Sequence, residues 1–484
     1  MSTEPQQKSP QPKEQVVQLY QGAKRIQPKM AKGRFANWRL LAILATQFVF
    51  YVIPWFNLSG RQAVLFDIPA RRFYLFGITL VPGDLIYLTG LLLVAAFGLF
   101  WWTTIAGRLW CGYACPQTVY TEIMLWIDHL VEGDRNKRLK LDKEPWNARK
   151  IRIKFTKYLL IFAVCAWTGI TFAGWFSPIR QLVPDIFHFN ASGAALFAAA
   201  FYGFMTWLMA HIMREQVCKY MCPYARFQSA MFDEDTLIIS YDTERGEPRG
   251  ARKKNMTEAQ LADMGDCINC TQCVQVCPVG IDIRDGLQYE CIGCAACIDA
   301  CDEIMDKMNY PRGLIRYTTE AALHHKYTDK DFVKRLKRPR VLGYGAVLGL
   351  AVIGLLFGLT TRQTLRVDVI KDRGVMVREN KQGPLENAYN LRIINASEQE
   401  QRVEVKVSGF DEIALGGVPQ GGFKAPAGET ITVPVQVSTI PEYADKGSHP
   451  IKFEFTYHTP SEPDEAPRTI VEDAAFIGEE FWLK

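Results

Sequence analysis

The sequence predicts a multi-domain membrane protein: an α-helical transmembrane bundle of five spans, a cysteine-rich insert before the last span, and a β-sandwich at the C-terminal end. Three observations predict it. Five apolar runs approach the ~20 residues that a helix needs to cross hydrocarbon. Eight cysteines crowd the stretch from Cys267 to Cys301. Beyond residue 361 the chain turns to short alternating runs separated by Gly, Pro and Asn clusters. The 484 residues suffice for two or three domains, and a mean hydropathy near zero averages apolar spans with polar domains. The net charge of +5 is mild and unevenly spread. It points to orientation in a bilayer and gives no reason to expect nucleic acid as a partner.

Residues 1–37 are polar, rich in Gln, Pro and Lys, and are expected to be disordered. The charged segment is too long, and the apolar run after it too extended, for a cleaved signal peptide. A membrane region over 38–230 holds four spans: Trp38–Trp55, Pro82–Thr104, Tyr158–Phe176 and Ala191–Met213. The fifth span is Val341–Thr360. The 105–156 loop carries ten Lys and Arg, the 177–190 loop only Arg180, and Lys334, Arg335, Lys337, Arg338 and Arg340 precede the last span. Because basic loops stay inside, the N-terminus, the 105–156 loop and the insert are expected in the cytoplasm and residues 361–484 on the far side. Segment 131–155 mixes basic residues with Trp146, Ile151, Ile153 and Phe155, which fits either a helix on the membrane surface or a solvated loop.

Two cysteine pairs close the second and fourth spans. One reads Arg108-Leu-Trp-Cys111-Gly-Tyr-Ala-Cys115-Pro116, the other Arg214-Glu-Gln-Val-Cys218-Lys-Tyr-Met-Cys222-Pro223. This is an internal repeat of helical hairpins ending in Cys-x-Tyr-x-Cys-Pro. The proline disfavours helix at the second Cys, so a turn at a helix end is expected. Three chemistries fit such pairs. Two thiolates hold Cu(I), a soft ion; a pair cycles between dithiol and disulfide; or the thiols hold a structural metal or are inert packing. No Cys-x-x-Cys-His occurs, which disfavours covalent haem. Met205, Met209 and Met213 recur every four residues, which is more often packing than a copper path. His129 and His211 near span ends read mainly as hydrogen-bonded interfacial side chains, and Cys165 as a small core residue.

The insert, 231–340, carries Cys267-x2-Cys270-x2-Cys273-x3-Cys277-Pro278 and then Cys291-x2-Cys294-x2-Cys297-x3-Cys301. That is the bacterial ferredoxin run, twice. Three thiolates on a tight loop reach three corners of one cube, and the fourth serves the other cluster. Cys267, Cys270, Cys273 and Cys301 are therefore assigned to one [4Fe–4S] cluster, and Cys291, Cys294, Cys297 and Cys277 to a second. Zinc motifs do not repeat a third Cys in this way. The second run departs from the first by carrying Asp302 in place of Pro278. Thiols serving clusters imply a reducing compartment for the insert.

The tail reads as strands Thr364–Ile370, Tyr389–Asn395, Arg402–Ser408, Thr430–Val437, Ile451–His458 and Thr469–Phe476. An immunoglobulin-like β-sandwich fits this spacing. It contains no catalytic constellation, so docking is its default role.

This order of motifs over nearly the whole chain resembles the CcoG/FixG/RdxA group of bacterial cytochrome c oxidase accessory proteins. The hairpins alone also resemble the NapH and NosR type of membrane polyferredoxin, which lacks the tail. The resemblance implies a bacterial inner-membrane protein that reduces Cu(II) to Cu(I) on the cytoplasmic side during assembly of a cbb3-type oxidase. It implies that Cys111, Cys115, Cys218 and Cys222 act in copper chemistry. It further implies oxidase assembly factors or copper chaperones as partners, together with an unidentified electron donor. A homodimer is compatible with it. Two other readings stand beside it: an electron relay between a quinol or cytoplasmic donor and a partner complex, and a redox-sensing assembly scaffold.

Overall fold

The computed structural model describes residues 25–478 except 59, 253–262, 325–335, 373–377, 380–384, 441, 445–446 and 461–466. Among the described residues, five helical segments are long and apolar enough to cross a membrane: Arg34–Trp55, Pro82–Ala106, Ala148–Ala173, Gly193–Met213 and Pro339–Thr360. The first four contain helices α1 (Arg34–Val52), α2 (Leu85–Ala106), α6 (Ala148–Ala173) and α8 (Gly193–Thr206). Between α2 and α6 lie α3 (Leu109–Tyr113), α4 (Pro116–Glu132) and α5 (Arg135–Lys143), and α7 (Ile179–Phe187) precedes α8.

Small residues let α6 and α8 approach closely. A Cβ on Gly169 would fall 2.0 Å from the Ala199 carbonyl oxygen, and one on Gly203 would fall 2.8 Å from that of Cys165. The last span lies along α2, where Trp101 Nε1 donates to the Val341 carbonyl at 3.2 Å and Tyr87 Oη to that of Gly358 at 3.0 Å. Cys165 is buried among Tyr120, Met124, Ile161 and Ala210.

Four features differ from the sequence expectation or add to it. Residues 25–37, expected in the disordered N-terminus, follow a defined path: Arg135 and Arg138 donate to the carbonyls of Gln27 and Pro28, and Lys29 N donates to the Gln275 carbonyl. Residues 1–24 lie outside the described residues. The third span begins ten residues before Tyr158, because Asn147 caps α6 by accepting from Lys150 N at 2.8 Å. Segment 131–155 is accordingly helical over α5 and the start of α6. Several of its cations are internal: Lys154 reaches Glu132 at 2.8 Å, and Arg138 and Lys150 are buried. Residues 56–81, the link between the first two expected spans, contain a three-stranded antiparallel sheet of Val64–Asp67, Arg72–Leu75 and Ile78–Leu80.

The tail is two packed antiparallel sheets. One runs Ile413–Gly416, Thr430–Thr439, Leu385–Asn395, Leu365–Lys371, with Arg378–Glu379 also pairing to Leu385–Asn395. The other runs Phe423–Ala425, Gln401–Ser408, Ser448–His458, Arg468–Ile477. Strict alternation buries Leu385, Tyr389, Leu391 and Ile393 from one sheet against Val403, Phe453, Phe455 and Phe476 from the other. Tyr389 Oη crosses the core to the Ala475 carbonyl at 2.8 Å.

The sandwich is tied to the membrane bundle through Asp84, at the start of the second span. Its fully buried carboxylate accepts from Arg362 at 2.5 Å and from Arg366 at 2.8 Å. Asp84→Ala leaves both guanidinium groups facing a void, a loss of about 3–5 kcal/mol for a broken buried pair. Thermal unfolding followed by near-ultraviolet circular dichroism is expected to move to lower temperature in this variant and to be largely restored in Asp84→Glu.

Candidate electron-transfer site

The eight cysteines of the insert surround two adjoining cavities. Cys267, Cys270, Cys273 and Cys301 line the first, together with Tyr241, Arg284 and Met305. Cys277, Cys291, Cys294 and Cys297 line the second, with Cys273 in the wall between them. Each cavity thus takes three thiols from one run and one from the other. Four thiols around one cavity fit a cubane; the rest of the lining is apolar at the second, with Val279, Ile281, Ile283 and Ala295, and mixed at the first, where Ile304, Leu314 and Ile315 stand beside Arg284 and Tyr241. Burial pushes the thiols up, Cys291 and Cys301 to about 12 and Cys273 to about 11. Iron must displace these protons, since thiolate is the ligand.

Local structure explains the departure at Asp302. Cys301 and Asp302 lie inside the continuous helix Ala296–Lys307, where proline would remove a backbone hydrogen bond. Asp302 instead accepts from Gly313 N at 3.0 Å. Cys277 follows the end of the short helix Gln272–Gln275, and there proline is tolerated. Asp299 of the longer helix fastens the insert to the bundle, because its carboxylate accepts from Phe35 N at 3.1 Å and Ala36 N at 2.7 Å, the start of α1.

The two membrane-edge pairs meet at the second cavity. Cys111 and Cys218 pack against the core that contains Val279, Ile292 and Cys294, and Cys277, Cys291 and Cys297 pack on the same core. Burial, then the Cys115 thiol, push Cys111 up to about 12; burial, then Cys115, Cys111 and Cys222, push Cys218 up to about 12; the Arg108 guanidinium opposes both. Arg108 also bears on Cys291, so one cation stands among thiols of both sites. The contact is backbone on backbone. A Cβ on Gly112 would fall 2.8 Å from Gly293 O and 2.9 Å from Cys294 N, and Gly293, at φ +68°, lies against the Arg108 carbonyl.

The repeat is visible in the backbone. α2 ends at Gly107 (φ 54°, ψ −121°) and the fourth span at Arg214 (φ 44°, ψ −116°), each four residues before the first Cys. Cys115 and Cys222 are both extended N-caps, of α4 and of α9 (Pro223–Met231). Gly107, rather than Arg108, is therefore the structural counterpart of Arg214. The strained Arg214 is held by Asp128 at 2.5 Å. Of the methionine stripe, Met205 lies in α8 and Met209 and Met213 in the π-helix Trp207–Met213 that continues it. His129 and His211 are not brought to any cysteine; the His211 ring stands edge-on to Tyr158 at 5.7 Å. Sequence reasoning missed Gly112, Gly293 and Gln228, since a glycine reserved for close approach and a buried amide carry no local signal.

Two adjoining four-thiol cavities seated on a bundle of apolar helices define a membrane-anchored iron–sulfur electron-transfer protein. Comparison with known proteins agrees. Residues 213–320 match a family described as a 4Fe-4S dicluster domain, residues 88–140 one described as a 4Fe-4S binding domain, and residues 355–479 the IG-like fold at the C-terminal of FixG. The chain is 38% identical over 425 residues to the nitrogen fixation protein FixG of Rhizobium meliloti, covering 81% of this chain and 80% of that one. It is 37% identical over 437 residues to protein RdxB of Cereibacter sphaeroides, covering 88% and 91%. A solved FixG-related protein from Vibrio parahaemolyticus covers 24% of this chain and 99% of its own at 21% identity, with a TM-score of 0.20. The chain belongs to the FixG/RdxA family.

Gly112→Val forces the Gly293–Cys294 backbone away, an overpacking cost of about 1–3 kcal/mol. An iron chelator is expected to bleach the visible cluster absorbance of this variant faster than that of the parent. Gly343→Val, where a Cβ meets open space, is expected to behave as the parent does.

Proposed function

We propose that this protein reduces Cu(II) to Cu(I) at the cytoplasmic edge of a bacterial inner membrane, in the assembly of a cbb3-type cytochrome c oxidase. The observation that carries this reading is the packing of Cys111 and Cys218 on the same apolar core as Cys277, Cys291, Cys294 and Cys297 of the second cavity. Bound clusters supply single electrons with little rearrangement. The chain's own residues do the rest. Eight insert cysteines hold the clusters, Arg284, anchored by Asp282 at 2.5 Å, lines the first cavity, and Gly112 and Gly293 close the distance to the membrane edge. Soft thiolates there favour Cu(I) over Cu(II) and so make the reduction of the substrate ion easier.

The sidedness in this reading rests on the exposed cations Lys137, Lys140, Lys143, Arg149 and Arg152 beside the thiol pairs. It places both cavities in the cytoplasm and the sandwich in the periplasm, where the sandwich is a docking surface for oxidase assembly factors or copper chaperones. A second reading, a relay from membrane quinol to a partner complex, is favoured by an apolar groove of about 560 Å³ between α6 and α8. Tyr158, Phe162, Phe204 and Trp207 line it.

The full-length protein in detergent, reduced anaerobically and freed of reductant, is expected to convert added Cu(II) to Cu(I) in proportion to the electrons stored, as read by a Cu(I)-specific chelator. Cys111→Ala/Cys115→Ala is expected to slow this at least about tenfold, the effect of ~1.4 kcal/mol at the barrier. Equal rates in parent and variant would remove the thiol pairs from the reaction, and quinol-linked reduction without copper dependence would favour the relay.

A further inference from the structure

The geometry points to a third iron–sulfur site: Cys111, Cys115, Cys218 and Cys222 together are the ligands of one additional [4Fe–4S] cluster, closed by the two repeats at the membrane edge. This rests on the electron-transfer reading and deepens it, since the thiols become cluster ligands and Cu(II) meets that centre instead of bare sulfur.

Four observations carry it. The two repeats place their cysteines alike, with the same turn four residues before the first Cys and the second Cys as an extended N-cap. Cys111 and Cys218 pack on one core, and the Cys115 and Cys222 thiols bear electrostatically on both.

Second, the four thiols behave as the insert thiols do: among the described residues neither set forms a group of three His, Cys, Asp or Glu side chains placed to hold a single metal ion. Cu(I) or Zn(II) would require sulfurs drawn to within about 2.3 Å of one centre.

Third, unsatisfied donors are buried beside the thiols. Gln228 is fully buried, its Oε1 lies 3.5 Å from Cys111 Sγ, and its Nε2 makes no hydrogen bond of normal geometry, its approach to Tyr224 included. Arg108 is 7% exposed and its Nε has no partner, while its Nη2 is spent on the Ala225 carbonyl at 2.6 Å. A rotated Gln228 amide and the Arg108 Nε–H are N–H donors of the kind that hydrogen-bond cluster sulfur and set its potential. The free N–H groups at the starts of α4 and α9 add positive potential toward the same anionic centre.

Finally, the stretch 88–140, which matches a 4Fe-4S binding domain, contains only Cys111 and Cys115. Two thiols are half of a cubane's set, and the pair that completes it here is Cys218 and Cys222.

The test is the iron and acid-labile sulfide content of the full-length protein in detergent, reconstituted anaerobically with ferrous iron and sulfide. Three [4Fe–4S] clusters give about twelve of each per chain, against about eight for two. Cys218→Ser/Cys222→Ser, which leaves the insert untouched, is expected to lose four iron and four sulfide while the electron paramagnetic resonance of the remaining two clusters is unchanged. Gln228→Leu is expected to keep about twelve iron and shift one reduction potential only, which a merely structural glutamine would not do. A parent chain holding about eight iron, the same as the Cys218→Ser/Cys222→Ser variant, overturns the proposal. So does one equivalent of tightly bound copper that the double variant loses with no loss of iron. Twelve iron without Cu(I) formation would sink the copper reading alone; Cu(I) formation with eight iron would sink only the third cluster.

Discussion

The arrangement depends on one backbone contact. Gly112, between the first two side chains of a membrane-edge turn, lies against Gly293 and Cys294 of a cluster-binding loop with no room for a Cβ. Close approach of this kind is what glycine alone permits. It seats the insert directly on the end of the second span, so that Cys111 becomes a neighbour of the second four-thiol cavity. In the second repeat Lys219 stands at the equivalent place, so only the first repeat makes this contact. The pseudo-symmetric hairpins are thus used unequally: the first receives the insert through Gly112, while the second brings Cys218 to the same core.

Around that contact the insert is fastened by polar bonds that would cost dearly if left half-made. Asp299 takes two backbone donors at the start of α1, and Arg39 reaches Glu122 at 3.1 Å within the bundle. Residues 25–33, polar by composition, run along the insert because Arg135 and Arg138 supply donors to their carbonyls. The network of Asp128, Glu132, Lys154, Lys157 and Arg214 holds α4, α6 and the strained turn at Arg214 in register. Buried pairs of this type add little net stability over apolar packing, but removing one partner strands the other. Their effect here is to fix where the helix ends point.

The far end of the molecule is organised by a separate constraint. Asp84, without exposure, receives Arg362 and Arg366 from the junction of the last span and the sandwich. The sandwich therefore leaves the bundle at a set angle, and the small sheet over residues 64–80 fills the space beside it. The cluster-binding insert and the sandwich are thus held to the bundle by separate sets of interactions.

Much of this was legible without coordinates. Local chemistry determined the eight insert cysteines, the five apolar runs and the six main strands of the tail, because ligand spacing, span length and period-two alternation are properties of short segments. The repeat of Cys-x-Tyr-x-Cys-Pro was readable for the same reason. What only the tertiary structure decided is which residues from distant segments meet: that Gly107 and not Arg108 matches Arg214, that Cys111 and Cys218 pack on the core of the second cavity, that Gln228 is buried beside Cys111, and that Arg138 and Lys154, from a segment that fitted either a membrane-surface helix or a solvated loop, reach Asp128 and Glu132. The physical reason is that these outcomes depend on close packing between elements far apart in the chain, as Gly112 and Gly293 are, and neither a glycine's missing side chain nor an amide's unmet hydrogen bond leaves a periodic mark in the sequence.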